Sequence, residues 1–488
     1  MNIESSFILV PLLLPLFTAI GNLIAGRWPN VRDSISSVGA LLTFASVLSL
    51  VSHVAGGGTY SLHLFHIYQG IDVTLRVDGM SMIFAATSSF LWILATFYCV
   101  GYMRGLNEHA QTRFYVCYSA TIFGAMGVAF SGTLLSLYLF YELVSIFTYP
   151  LVMHHQDEEA YDGSRKYLTY LMVTSKLMLL PALAAVYVSA GTLDFATNMT
   201  TGIFPSTTPK VLVTVLYFLS FFGYAKAAVM PFHNWLPSAM VAPTPVSALL
   251  HAVAVVKVGV FSVCRVMLFV FGVDLLHRYN LGIISAYIAA FTVLAGSMIA
   301  ITKQNLKARL AYSTIAQLSY IVMGVAMLTP SSITGGLIHI PNHAFSKITL
   351  FFCAGAIYVA HHKKEIPDLD GMGYKMPFTM AAFGLASLSM IGAPPVAGFV
   401  TKWYLAKGAM ELSSWGLLLV LMISSMLNAG YFIPIFLRAF FPKDGSKRNA
   451  VLAEASPFMV VPLCLTAVLS VIFGFYPELW LSLIEVVK

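Results

Sequence analysis

Residues 223–262 read GYAKAAVMPFHNWLPSAMVAPTPVSALLHAVAVVKVGVFS and place Lys226, His233, His251 and Lys257 among side chains oily enough for lipid. Further on, GLIHIPNHAFSKITLFF adds His339, His343 and Lys347, and GAPPVAGFVTKWY adds Lys402. Upstream, SLYLFYELVSIFTYPLVMHH carries Glu142 and MVTSKLML carries Lys176. An ionised side chain at the centre of a bilayer costs from about 3 to more than 10 kcal/mol. Such residues therefore face the interior of a helix bundle and take a partner. Burial favours the neutral amine of a lysine, and a nearby carboxylate favours the ammonium. A buried lysine beside a switchable carboxylate can thus take up and release a proton near neutral pH. That is the physical requirement of a proton relay.

Glu142 is the one acid deep in an apolar run, and Lys226 is its expected partner. Lys176 is either a second partner for Glu142 or a residue lining an access path; it and His233 are accessory candidates. A static pair that only fixed helix packing would not require the remaining lysines. His339, His343 and Lys347 fall at i, i+4 and i+8, on one helix face. Histidine titrates near physiological pH. With His251 and Lys257 these residues predict a row linking Lys226 to Lys402, with water filling the gaps. A haem held by His251 and His343 would leave the companion lysines unexplained. The five cysteines (Cys99, Cys117, Cys264, Cys353 and Cys464) form no close pair. They are read as free thiols, and neither a metal site nor a cluster is expected. His154 and His155, in HHQDEEAYDGSRK, read as solvated loop residues, and Arg265 as a side chain snorkelling from a span end.

The elements that must position these residues follow from composition. Of 488 residues, 58% are hydrophobic and 10% charged, and the mean hydropathy is +0.82. Soluble proteins carry roughly 25% charged residues, so this is an all-α integral membrane protein with no nucleic-acid partner. Fourteen runs are long enough to span a bilayer, near 6–26, 35–55, 79–101, 113–131, 133–154, 164–189, 211–236, 244–272, 281–302, 310–328, 332–360, 376–412, 414–440 and 457–482. Proline breaks or kinks a helix. Pro231 and Pro237 follow Lys226; Pro394, Pro395 and Gly398 precede Lys402. Two broken helices, each with a lysine, suggest an internal repeat and point to a transport site. Residues 59–78 alternate around a glycine turn and predict a β-hairpin.

The connections between spans carry a charge bias. Sixteen Lys and Arg, among them Lys443, Lys447 and Arg448, fall in the odd-numbered connections, and five, including Lys488, on the opposite side. Cytoplasmic loops collect basic residues. The bias predicts a multi-pass protein with both termini on the non-cytoplasmic side of a prokaryotic cell membrane.

The stretches YELVSIFTYPLV, AKAAVMPFHNWLPSAMVAPTPVSALLHA, NLKARLAYSTIAQLSYI, NHAFSKITLFF and GAPPVAGFVTKWY carry a resemblance over nearly the whole chain. It resembles the antiporter-like subunits shared by respiratory complex I, membrane-bound hydrogenases and Mrp-type sodium/proton antiporters. The resemblance implies fourteen transmembrane helices, with inverted five-helix repeats over helices 4–8 and 9–13 and breaks in helices 7 and 12. It divides a single membrane domain, 1–488, into N-terminal helices (6–112), a first repeat (113–272), a second repeat (281–440) and a last helix (457–482). By the same likeness Glu142 and Lys226 form the inlet pair, His251, Lys257, His343 and Lys347 join the halves, and Lys402 ends the second half-channel. Some relatives have glutamate where this chain has Lys402. HAVAVVKVGVFS looks most like D-type Mrp subunits. The largest complex I subunit of this type carries a long lateral helix after its last span, so that branch is disfavoured.

The reading is a proton-translocating subunit of a redox-driven multisubunit membrane complex. Its partners would be other membrane subunits, further antiporter-like ones included, and its cargo protons, with Na⁺ as an alternative ion. No nucleotide loop, flavin fingerprint or cluster ligand is present, so redox cofactors would belong to partner subunits. The alternatives are a D-type subunit of an Mrp sodium/proton antiporter and a structural membrane scaffold.

Overall fold

The computed structural model describes residues 2–442 and 451–487. Lys443, Lys447, Arg448 and Lys488 of the charge bias lie outside the described residues. The N-terminal region holds β1 (Asn2–Glu4), α1 (Leu9–Ile24), α2 (Pro29–Ala55), β2 (Thr59–Tyr68), β3 (Ile71–Val77) and α3 (Gly79–Gly105). Next come α4 (Gln111–Ala129), α5 (Leu134–Val152), α6 (Glu158–Thr174), α7 (Leu180–Ala190), α8 (Lys210–Gly223), α9 (Trp235–Ser238), α10 (Thr244–Ala248), α11 (Val255–Val266) and α12 (Val273–Arg278). Then follow α13 (Leu281–Thr302), α14 (Leu306–Ala326), α15 (Pro330–His361), α16 (Met372–Lys375), α17 (Pro377–Ile391), α18 (Ala397–Glu411), α19 (Trp415–Phe440), α20 (Pro457–Phe475) and α21 (Glu478–Glu485).

Each expected span coincides with a helix or a run of helices, and among the described residues ten of these are long and apolar enough to cross a membrane. Shorter apolar helices, α8 and α17, lie beside the two proline clusters. Two long helices are continuous only through π-helical turns, Ser175–Leu179 between α6 and α7 and Leu249–Val253 between α10 and α11. The run Thr244–Phe271 is buried throughout, and α3 and α15 are 83% buried over their apolar windows. By contrast, only a third of Glu158–Ala190 and of Trp415–Phe440 is buried. The innermost helices are thus those that carry His251, Lys257, His339, His343 and Lys347, where protein rather than lipid surrounds their polar groups.

The predicted hairpin is present, with β2 and β3 antiparallel, and the sequence pattern did not reveal that β1 adds a parallel third strand at Asn2↔Thr59. Hydrogen bonds sort the connections by parity. Arg104 reaches Asn30 (2.9 Å), Arg113 reaches the His154 carbonyl (2.9 Å), Asn305 reaches Glu365 (3.0 Å) and Lys307 reaches the Ala242 carbonyl (2.6 Å). At the other end Arg76 donates to the Ala196 carbonyl (3.1 Å) and the Val273 amide to the Met199 carbonyl (2.9 Å). The basic connections therefore share one end of the bundle.

Two sequence expectations are corrected. Arg265 does not snorkel: it is buried and donates through Nη1 and Nη2 to both Asp78 oxygens at 2.6 and 2.8 Å. Asp78 also caps α3 by accepting the Ser81 amide, so one carboxylate ties the hairpin, α3 and α11 together. His154 is not solvated but fully buried beneath Arg113 and Glu108, while His155 is half-buried. Asp33 is a further buried acid, held by Arg32 and Arg104 in the first basic connection.

Removing one member of a buried ion pair strands the other charge at a cost of about 3–5 kcal/mol. Asp78→Ala is expected to destabilise the protein on that scale, and Asp78→Ala with Arg265→Met to recover much of the loss. Thermal unfolding in detergent, followed by size-exclusion chromatography, measures both. A double variant no better than the single one would mean that the pair is not the source of the effect.

Candidate functional site

The site starts from the two places where helices stop inside the bundle. After α8 the chain makes a 3₁₀ turn at Ala225–Ala227, Ala228 takes a left-handed φ of 56°, and Met230–Pro231 is cis before α9 begins. The second break lies between α17 and α18, where Gly392 has φ 86° and Pro394–Pro395 is cis. A helix end leaves carbonyls without amide partners, and buried ones must be satisfied. At the end of α17 the Met390 carbonyl accepts from Asn428 (3.0 Å) and Gln317 (3.4 Å). The Ile391 carbonyl has Pro395 four residues on, which offers no N–H. Lys402 Nζ fills that place at 2.6 Å and also reaches Ser425 Oγ at 2.8 Å. The break thus creates the oxygen that solvates this half-buried amine.

Lys226 sits in the first break and is fully buried. Its Nζ donates to the Tyr141 carbonyl (2.8 Å) and Ser145 Oγ (2.7 Å), and it lies 3.2 Å from the centre of the Tyr141 ring. Gly259 of α11 packs against this turn so closely that a Cβ there would stand 2.2 Å from the Lys226 carbonyl carbon. Gly398 plays the same part at the second break, where a Cβ would meet the Ser389 carbonyl oxygen at 1.7 Å.

Glu142 is not paired with Lys226 as the sequence suggested. Its Oε2 accepts from Lys176 Nζ at 2.8 Å, and Lys176 also reaches the Tyr138 hydroxyl at 2.9 Å. The Lys176 side chain is 50% exposed and Glu142 10%, so the pair stands at the perimeter of the bundle. The reason is local. Tyr141 and Ser145 turn their oxygens inward to Lys226, while Glu142 points outward toward the π-helical turn that carries Lys176. Glu142 Oε1 is buried with no hydrogen-bond partner among the described residues.

Part of the predicted central row is in contact, from Lys257 to Lys402, while among the described residues no hydrogen bond or ring contact joins Lys226 to it. Lys257 Nζ lies 2.5 Å from His343 Nδ1. His343 stacks obliquely on His339 at 5.7 Å between ring centres, and His339 Nε2 meets Gln317 Oε1 at 3.0 Å. The Tyr320 ring bridges from His339, 5.8 Å away, to Lys402 Nζ, 5.3 Å from its centre. Lys347 Nζ donates to Ser313 Oγ (2.8 Å), which also takes the Tyr431 hydroxyl (3.1 Å). His251, on the π-helical turn, lies against Phe351, and neither ring nitrogen has a partner among the described residues. His233 is not brought in: it is half-buried and bonds the Pro231 carbonyl in its own turn.

Sequence reasoning missed Tyr141, Ser145, Ser313, Tyr320 and Ser425, which contact the lysines, and Gln317, Asn428 and Tyr431, which hold His339, the Met390 carbonyl and Ser313 beside them. Ser313, Gln317 and Tyr320 recur at i, i+4 and i+7 on the apolar α14, a helical period that was available as a signal.

Residues 131–428 match the family described as NADH:quinone oxidoreductase/Mrp antiporter, transmembrane region. The chain is 29% identical over 485 residues to NADH-quinone oxidoreductase subunit N of Desulforudis audaxviator, covering 96% of this chain and 95% of that protein. Its fold is similar to a chain of the membrane-bound sulfane sulfur reductase, an archaeal respiratory membrane complex, with TM-score 0.87, 21% identity and coverage of 99% and 98%. A chain of the Mrp complex of Dietzia sp. matches with TM-score 0.85, 21% identity and coverage of 98% and 96%.

Groups in direct contact show coupling of about 0.5–3 kcal/mol in a double-mutant cycle, whereas separated groups add. Glu142→Gln with Lys176→Gln is expected to show coupling in thermal stability in that range. Glu142→Gln with Lys226→Gln is expected to show less. The reverse order would return Glu142 to Lys226.

Proposed function

The chain belongs to the NADH:quinone oxidoreductase/Mrp antiporter family, and on that premise we propose that it carries protons across the membrane as one subunit of a larger complex. The observation that carries this reading is the buried row of protonatable side chains between two broken helices, centred on the contact of Lys257 with His343. A sealed bundle has no packing use for five lysines in its spans. Each is expensive there, and each is instead given oxygens or an imidazole at hydrogen-bonding distance.

In this account Glu142 exchanges between Lys176 at the perimeter and Lys226 inside. Pairing with Lys226 favours its ammonium, and pairing with Lys176 releases the proton toward Lys257 and His343. His339, Gln317 and Tyr320 lead on to Lys402, which discharges it. Lys347 and His251 adjust the charge of the row from its flank. The drive comes from outside: charge changes in a neighbouring subunit would act on the exposed Glu142–Lys176 pair. α4, α14 and the two broken helices complete fourteen crossings, with inverted repeats over helices 4–8 and 9–13. The basic end faces the cytoplasm and both termini face away from it. Redox cofactors, where the complex uses them, belong to partner subunits.

A cavity of about 590 Å³ at the basic end, lined by Glu108, His155, Asp162, Lys166, Lys307 and Lys364, supports this orientation as a wet mouth. It reaches Pro243 and Thr244, at the start of the helix that bears His251 and Lys257.

A redox-driven pump is the first reading. The second is an Mrp-type sodium/proton exchanger, which the family description covers equally. Vesicles holding the whole native complex separate them. Donor-driven, Na⁺-independent proton flux that falls at least about tenfold in Glu142→Gln is the expected result. Flux driven only by a pH or Na⁺ gradient, and lost in the same variant, would select the exchanger. Wild-type flux from Glu142→Gln would overturn both.

A further inference from the structure

A cluster of histidines and a carboxylate at the basic end lies outside the row. The short connection between α3 and α4 carries Glu108 and His109, and the chain leaving α5 carries His154 and His155. One carboxylate oxygen of Glu108 and one ring nitrogen each of His109 and His154 lie within 4.8 Å of one another. Glu108 Oε2 is 3.6 Å from His154 Nε2 and 3.7 Å from His155 Nδ1. These separations are too long for hydrogen bonds. They are close to the spacing that one small cation imposes, since ligand atoms about 2.0–2.1 Å from a tetrahedral zinc stand roughly 3.3 Å apart.

His154 supplies an independent observation. It is fully buried, yet neither ring nitrogen has a hydrogen-bond partner among the described residues. A buried imidazole without partners is costly. Its backbone carbonyl is held by Arg113 Nη2 at 2.9 Å, and its ring lies between Phe114 and His109, at 5.8 and 4.8 Å between ring centres. The ring is therefore held with Nε2 toward Glu108. His109 is exposed and His155 is half-buried. Glu108 and His155 also line the cavity at the basic end, so an ion has a route in from water.

We propose that Glu108, His109 and His154, with His155 as a fourth ligand, bind one divalent transition-metal ion of the zinc class. Two or three imidazoles with one carboxylate suit borderline cations and disfavour Mg²⁺ and Ca²⁺, which take oxygen ligands. The ion joins the first basic loop after α3 to the loop after α5, at the rim of the cavity.

The test uses the full-length protein in detergent, purified without a histidine tag and stripped with a chelator. Co²⁺ is titrated in and its visible absorption followed, with Zn²⁺ then added as competitor. The expected result is one equivalent of Co²⁺ per chain with the intense bands of a four-coordinate site, displaced by Zn²⁺. His109→Ala, at an exposed position that leaves the fold intact, is expected to weaken Co²⁺ binding at least about tenfold, as is Glu108→Gln. His154→Gln tests the buried ligand. His63→Ala, on the hairpin at the opposite end, should leave binding unchanged. Absence of the four-coordinate spectrum in the wild type overturns the proposal. So does a spectrum and affinity unaltered in both His109→Ala and Glu108→Gln, or binding lost in His63→Ala alone.

Discussion

A lysine amine in the middle of a membrane needs polar partners. This constraint organises the molecule. The chain meets it with a carbonyl freed by a helix break at Lys402 and with groups on neighbouring helices at the other lysines. Pro395 leaves the Ile391 carbonyl without its amide, and Lys402 occupies that carbonyl. At the first break Lys226 takes the Tyr141 carbonyl and the Ser145 hydroxyl instead. The unwound segments are buried where they meet their neighbours, at Lys226 and at Gly398, while Pro231, Pro394 and Pro395 are exposed. Gly259 and Gly398 allow that burial by letting neighbouring backbone approach where no side chain would fit. Prolines, glycines and lysines at the two breaks are thus parts of one solution.

The same constraint explains which helices are central. Thr244–Phe271 and α15 carry the densest set of titratable groups and are among the most deeply buried elements. Away from the row, buried charge is handled differently. Asp78 and Arg265 meet in a bidentate pair, and Asp33 is shared by two arginines. Those charges are paired with opposite charges at hydrogen-bonding distance and tie helices together. The lysines of the row are mostly held by neutral oxygens and imidazoles, which leaves their charge free to change. The arginine-bound acids and the row lysines therefore differ in their partners rather than in depth.

Much of this was legible in the sequence. Apolar runs, proline clusters and the i, i+4, i+8 stripe of His339, His343 and Lys347 located the helices, the breaks and the row. What escaped followed from geometry that spacing does not encode. Glu142 was expected on Lys226, but a helix turns neighbouring residues to different faces, and the π-helical turn at Ser175–Leu179 carries Lys176 to Glu142. Arg265 was placed by distance from a span end, although Asp78, its partner, lies 187 residues away in sequence. His154 looked solvated among charged neighbours, yet Arg113 and Phe114 bury it. Pairings across the bundle are set by packing, which a single sequence does not list.

The account rests on the row acting as one path, and Lys257 is its midpoint. Lys257→Met keeps the volume and apolar fit of the side chain while removing the proton carrier beside His343. The direct measurement is proton flux in vesicles holding the intact complex, with assembly checked by size and subunit content. Normal assembly with flux reduced at least about tenfold is the result predicted. Normal assembly with wild-type flux would contradict the account, because protons would then cross without the contact on which the row is centred.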